Sequence, residues 1–159
     1  MILKRYLEFI NEEKEDDGTD HYYDNQIAKL NQELKDFNNK KPKLDSLIKT
    51  YDYSENADRT LNKIIETNPL LMQHWSILKK TKRVMELNEK NDDLESDIKE
   101  LKKEDASPEE IEKKQNKINS NIEEINKVEE EKRELEDELD DTEKEIKQKV
   151  EYLKNKLFN

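Results

Sequence analysis

The chain has 159 residues, of which 45% are charged and 31% hydrophobic, with one glycine, three prolines, no cysteine and a formal net charge of −11. So little apolar surface excludes a large globular core, and the lack of cysteine excludes disulfides. The acidic balance disfavours general affinity for nucleic acid or an anionic membrane, and no run is long and apolar enough to span a bilayer.

Low hydrophobicity with high charge is the usual signature of disorder. Here, however, the apolar residues recur at alternating three- and four-residue spacing, which a coiled coil requires and a disordered tail does not. The expected fold is therefore all-α and elongated: a long antiparallel coiled-coil hairpin carried by a small N-terminal helical head.

Residues 1–12 read as an amphipathic helix with Ile2, Leu3, Tyr6, Leu7, Phe9 and Ile10 on its apolar side. A helix so short is marginal alone in water and is expected to dock on something. Residues 13–19 form an acidic linker around Gly18. Counting Gly18 as the sixth loop position places Glu13, Glu15, Asp17, Thr19, His21 and Asp24 at the ligand positions of an EF-hand. The first position is not Asp, the eighth is Asp20 and the last is not Glu, so a solvated linker is the expected reading. His21 and His74 are too far apart in pattern to suggest zinc, and no metal or cofactor site is assigned.

The head is expected over residues 20–68. A helix runs from about Asp20 to Phe37 with the stripe Tyr23, Ile27, Leu30, Leu34 and Phe37, and Asn38-Asn39-Lys40-Lys41-Pro42 is expected to stop it. A third helix opens at Pro42 with Leu44, Leu47, Ile48 and Tyr51. It either continues through Leu61, Ile64 and Ile65 or breaks at Ser54, which is able to cap a fresh start. Thr67-Asn68-Pro69 is a cap followed by proline and begins the first long helix. His74 and Trp75, in its first turns, are expected to pack on the head.

The hairpin is expected over residues 69–142, with helices from about 69 to 104 and from 108 to 142. At its turn, Ser107 stands at the N-cap, Pro108 at the first helical position and Glu110 at the third, the pattern of a capping box. Upstream the seam reads Ile77, Val84, Leu87, Leu94, Ile98 and Leu101, with Lys80 and Asn91 in polar slots. Downstream it reads Ile111, Ile118, Ile122, Ile125, Val128, Leu135 and Leu139. Facing residues of an antiparallel pair share one residue-number sum. Leu101 with Ile111, Leu94 with Ile118, Leu87 with Ile125, Val84 with Val128 and Ile77 with Leu135 all share it. Asn91 then faces Asn121, a polar pair able to fix register. The same register sets Lys82 against Glu130, Arg83 against Glu129 and Lys80 against Lys132. The facing glutamates account for the basic run Lys79–Arg83 without a nucleic-acid ligand.

The second long helix continues to about residue 157 with the stripe Ile146, Val150, Leu153 and Leu157. This tail, 143–157, is expected to complete the head. Catalytic patterns are lacking: one glycine gives no phosphate-cradling loop, and two separated histidines without cysteine give no nucleophile–base pair. A non-enzymatic protein is expected.

The stretch Tyr6-Leu7-Glu8-Phe9-Ile10-Asn11-Glu12 behind Lys4-Arg5 resembles the short amphipathic leader of many tailed-phage proteins, structural and prohead-associated ones among them. The Lys- and Asn-rich, Gly-poor composition suits an AT-rich phage genome. The resemblance implies that such a leader directs a protein into or onto an assembling capsid, and that prohead proteases cut after patterns like Ile10-Asn11-Glu12. The hairpin separately resembles, in shape alone, the arms of prefoldin-like chaperones. These likenesses imply a helical spacer in a phage virion or its assembly, with other virion or assembly proteins, or a second copy, as partners. The protein is then found in the virion or the host cytoplasm. An acidic inhibitor or chaperone that captures a host or phage protein is the alternative. Partner contact is expected at Ile2, Leu3, Tyr6, Phe9 and Ile10 and at Tyr152, Leu157 and Phe158, unless these two groups pack on each other and close the head.

Overall fold

The computed structural model describes residues 21–158, and the 1–12 leader and the 13–19 linker lie outside them. Among the described residues the chain is all-α. Four helices follow in order: α1 (His21–Thr50), α2 (Glu55–Ile65), α3 (Pro69–Lys103) and α4 (Pro108–Phe158). The long helices α3 and α4 pack against each other as a hairpin. The described residues divide into two compact units, one of residues 21–76 with 135–158 and one of residues 77–134.

In the unit 77–134, the core is a single seam. Ile77, Leu87, Ile98, Ile118, Ile125 and Val128 are buried, and Val84, Leu94, Leu101 and Ile111 are half-buried. Two helices alone cannot enclose every seam position, so part of the seam stays open to water. Ile122 departs from expectation: it is 45% exposed. The seam steps from Ile118 through Asn121 to Ile125, which leaves Ile122 on the flank.

The turn joins two caps. Asp105 takes a left-handed conformation at φ 52°, and the Ala106 N–H donates back to the Leu101 carbonyl at 3.0 Å. This is the helix-ending arrangement that usually places glycine where Asp105 stands. Ser107 Oγ accepts the Glu110 N–H at 3.4 Å, forming the serine half of the expected capping box.

In the other unit, α1 corrects the expected break at Asn38–Pro42. It is one helix of 30 residues with Pro42 inside it. Leu30, Phe37, Leu44 and Tyr51 are buried at seven-residue intervals, so one core-facing stripe runs straight through the proline. Pro42 lies on the exposed face, as does Asn38, whose carbonyl has no proline N–H to accept. Packing of the stripe therefore outweighs the local cost of proline, about 3 kcal/mol in a helix interior.

Between α1 and α2 the chain does break at Ser54. Its Oγ accepts the Ala57 N–H at 3.2 Å, and Asp52 Oδ1 accepts the Ser54 N–H at 3.0 Å. Asn68 caps α3: its Oδ1 accepts the N–H groups of Leu70 and Leu71 at 3.0 and 3.4 Å. Its Nδ2 donates to the Glu33 carbonyl at 3.1 Å, fastening the start of α3 to the middle of α1. Leu70, Leu71, His74 and Trp75 are all buried, which covers more than one face of α3. On α4, Leu139, Ile146, Val150 and Leu153 are buried with Thr142, whose hydroxyl is satisfied by the Glu138 carbonyl at 2.8 Å.

Candidate interaction surfaces

The hairpin unit is bonded across its seam at the expected polar pair. Asn121 Nδ2 donates to Asn91 Oδ1 at 2.8 Å, and Asn91 is buried while Asn121 is half-buried. The flanking register residues Leu87, Ile118 and Ile125 are buried and Leu94 is half-buried. Charges pair along the flanks rather than straight across. Lys80 Nζ meets Glu131 Oε2 at 2.5 Å, and Lys114 Nζ meets Asp97 Oδ2 at 3.1 Å. Arg83 clasps Glu124 Oε1 through Nε and Nη2 at 3.1 and 2.8 Å, not the expected Glu129. Seam positions belong to apolar side chains, so long charged residues on the flank reach along the helix for a partner. The Lys80 ammonium holds the Glu131 carboxyl below its ordinary range, through their hydrogen bond first and their opposite charges second.

Two features of this unit escaped the sequence. Met85 and Ile122 are both exposed, Met85 at 59%, on helices whose outer faces are mostly polar. A shallow groove of about 450 Å³ also opens over Leu94 between Lys90 and Lys117.

In the other unit, an aromatic cluster closes the C-terminal end of α1. The Tyr51 ring meets Trp75 edge-on with centroids 5.0 Å apart, and Tyr53 at 4.8 Å. The Tyr51 hydroxyl donates to the Asp58 carboxylate on α2. That hydrogen bond, with burial second, pushes the Tyr51 phenol up to about 12. His74 Nε2 lies 2.7 Å from Asp45 Oδ1, and its ring packs edge-on to Phe37 at 6.1 Å. His74 and Trp75 thus pack within this unit as expected. The His74 and Tyr51 carboxylate partners were not readable, because nothing local in the sequence marks an Asp that will meet a residue on another helix. A groove of about 560 Å³ lies between α1 and α2, lined by Pro42, Leu47, Thr60 and Ile64 among others.

Of the expected docking residues, Ile2, Leu3, Tyr6, Phe9 and Ile10 lie outside the described residues. Tyr152 is 50% exposed, Leu157 is half-buried and Phe158 is 83% exposed at the end of α4. Lys149 Nζ and Lys156 Nζ stand 5.3 and 5.6 Å from the Tyr152 ring centroid. Of the EF-hand positions, Glu13, Glu15, Asp17 and Thr19 lie outside the described residues, while His21 and Asp24 are exposed in the first turn of α1. Among the described residues no three His, Asp or Glu side chains converge as metal ligands, and no helix is long and apolar enough to cross a membrane. Comparison with known protein families, curated proteins and solved structures finds no match.

Proposed function

We propose that this chain is a non-enzymatic helical spacer, a component of a phage virion or of its assembly, whose hairpin holds attached proteins at a set separation. The observation that carries this reading is the hairpin's self-sufficiency. Its seam is lined by its own apolar residues, the Asn91–Asn121 pair is bonded to itself, and its flanks carry their own ion pairs. Such an element keeps its length without a partner. The 27 residues from Ile77 to Lys103 give about 40 Å of helix at 1.5 Å per residue. The resemblance of residues 6–12 to phage leaders supplies the setting. Quantitative mass spectrometry of particles purified from the source tests it. A fixed copy number per particle is expected, and a chain found only free in the lysate overturns the reading.

A second reading, capture of another protein by an inhibitor- or chaperone-like hairpin, is favoured by the exposure of Met85 and Ile122. It predicts that Met85→Glu with Ile122→Glu abolishes partner binding while leaving the fold intact.

A further inference from the structure

The two sides of the hairpin carry different chemistry. Its seam repeats every seven residues, each repeat opening at Ile77, Val84 and Asn91 on α3 and at Ile111, Ile118 and Ile125 on α4. Residues one and four places after an opener lie on one side of an antiparallel pair, and residues two and six places after it lie on the other. On the second side eleven of the twelve positions are charged, Ser120 being the exception. The Arg83–Glu124, Lys80–Glu131 and Lys114–Asp97 ion pairs all use that side. On the first side only four of the twelve are charged: Asp92, Glu95, Glu112 and Glu129.

The less charged side is also where apolar surface is left uncovered. Met85 stands one place after an opener and Ile122 four places after one, and both are exposed. Leu78, on the same side, is half-buried. So are Val84 and Ile111, which as openers lean toward this side of the seam. Several of its polar groups are already bonded within their own helices. Thr81 Oγ1 donates to the Ile77 carbonyl at 3.1 Å, and Gln115 Nε2 to Asn119 Oδ1 at 3.2 Å. Covering this side therefore removes apolar surface from water while stranding few donors.

We propose that this side is the contact between two copies of the chain, hairpin against hairpin, forming a four-helix bundle with two-fold symmetry. A two-fold contact sets a surface against itself, and copies that each carry −11 repel unless the meeting surface is short of charge. The side offers a foreign helix no charge pattern to select by, whereas a second copy matches its length and its apolar positions. An antiparallel arrangement of the copies keeps Asp92, Glu95 and Glu112 of one away from the same residues of the other. The contact runs about 25 Å along the helices and about 20 Å across them, roughly 500 Å² on each copy. Doubled, that is about 1,000 Å², the low end for specific association, so the dimer is weak and depends on concentration. This inference rests on neither reading above: a chain that stays monomeric refutes it and leaves capture of another protein standing.

Sedimentation velocity of the full chain, from about 1 μM to about 1 mM, tests it. Monomer is expected to give way to dimer as concentration rises, and added salt should strengthen the dimer by screening the net repulsion. Met85→Glu/Ile122→Glu should remain monomeric throughout, with unchanged helix content, since both side chains are exposed. Should that variant unfold, Met85→Gln/Ile122→Gln, which adds no charge, should weaken the dimer at least about tenfold. Glu86→Ala/Lys90→Ala, on the charged side and without change of net charge, should dimerise as the wild type does. A wild type that is monomeric at every concentration overturns the proposal. So does a dimer that salt dissociates, that survives substitution of Met85 and Ile122, or that is lost with Glu86 and Lys90.

Discussion

Asn91 and Asn121 face each other across the hairpin and share a hydrogen bond of 2.8 Å, so the seam there is bonded as well as packed. An amide with Asn91's burial needs a partner, and the seam supplies one in a single register. Sliding either helix by a turn would strand both amides among apolar side chains. The pair thus selects register, while the leucines and isoleucines around it supply most of the stability.

Breaking one half of the pair should therefore cost more than removing both. Asn121→Ala is expected to destabilise the chain by about 1–3 kcal/mol, because buried Asn91 keeps its desolvation cost without its bond. Asn91→Leu/Asn121→Leu should be neutral or stabilising in urea denaturation. A double variant as unstable as the sum of the singles would show that the amides are not coupled.

The turn carries a removable strain at Asp105, whose φ of 52° suits glycine. Asp105→Gly should stabilise the hairpin by roughly 0.5–1 kcal/mol. Ser107→Ala should cost about 0.5–1 kcal/mol by exposing the Glu110 N–H. Thermal melting of the two variants should move in opposite directions.

Asn68 does two jobs with one amide, since its oxygen caps α3 and its nitrogen holds the Glu33 carbonyl. Asn68→Ala should cost about 2 kcal/mol or more. Asn68→Asp keeps the cap but sets a carboxylate against a carbonyl, so it should recover only part of that loss. Full recovery by Asp, measured by chemical denaturation, would show that the Glu33 contact contributes nothing.

Tyr51 gives the chain an alkaline sensitivity. Its phenol is raised from 10 to about 12 by the Asp58 hydrogen bond and by burial. The folded state thus favours the protonated form. This contribution to stability is complete below pH 10 and is lost as the pH rises from 10 to about 12. In an ultraviolet titration, one of the six tyrosines should ionise near 12, and Tyr51→Phe should remove that step alone.

The hairpin was legible because its information is local and repeated: seam spacing, a Ser-Pro cap and a shared register across many pairs. The start of α3 at Asn68-Pro69 was legible for the same reason. Pro42 misled because proline's local cost is a prior that tertiary burial can override, and the seven-residue spacing of Leu30, Phe37, Leu44 and Tyr51 was the signal that did so. Ile122 misled because an apolar residue one place from the seam still fits a loose helical spacing. Arg83 could not be paired from register alone, since a side chain that long reaches more than one acidic residue on the facing helix. The Tyr51–Asp58 and His74–Asp45 contacts depend on helix crossings that no periodicity encodes.

Pairing of α3 with α4 in this register is tested most directly by cysteines, which the chain otherwise lacks. Leu94→Cys with Ile118→Cys places two thiols across the seam, next to the Asn91–Asn121 bond. Under mild oxidation in dilute solution, the account predicts rapid disulfide formation within single chains, with the product migrating as a monomer. Leu87→Cys with Ile118→Cys, displaced by two turns, should stay reduced. Crosslinking only between chains, or faster in the displaced pair, would contradict the hairpin and its register.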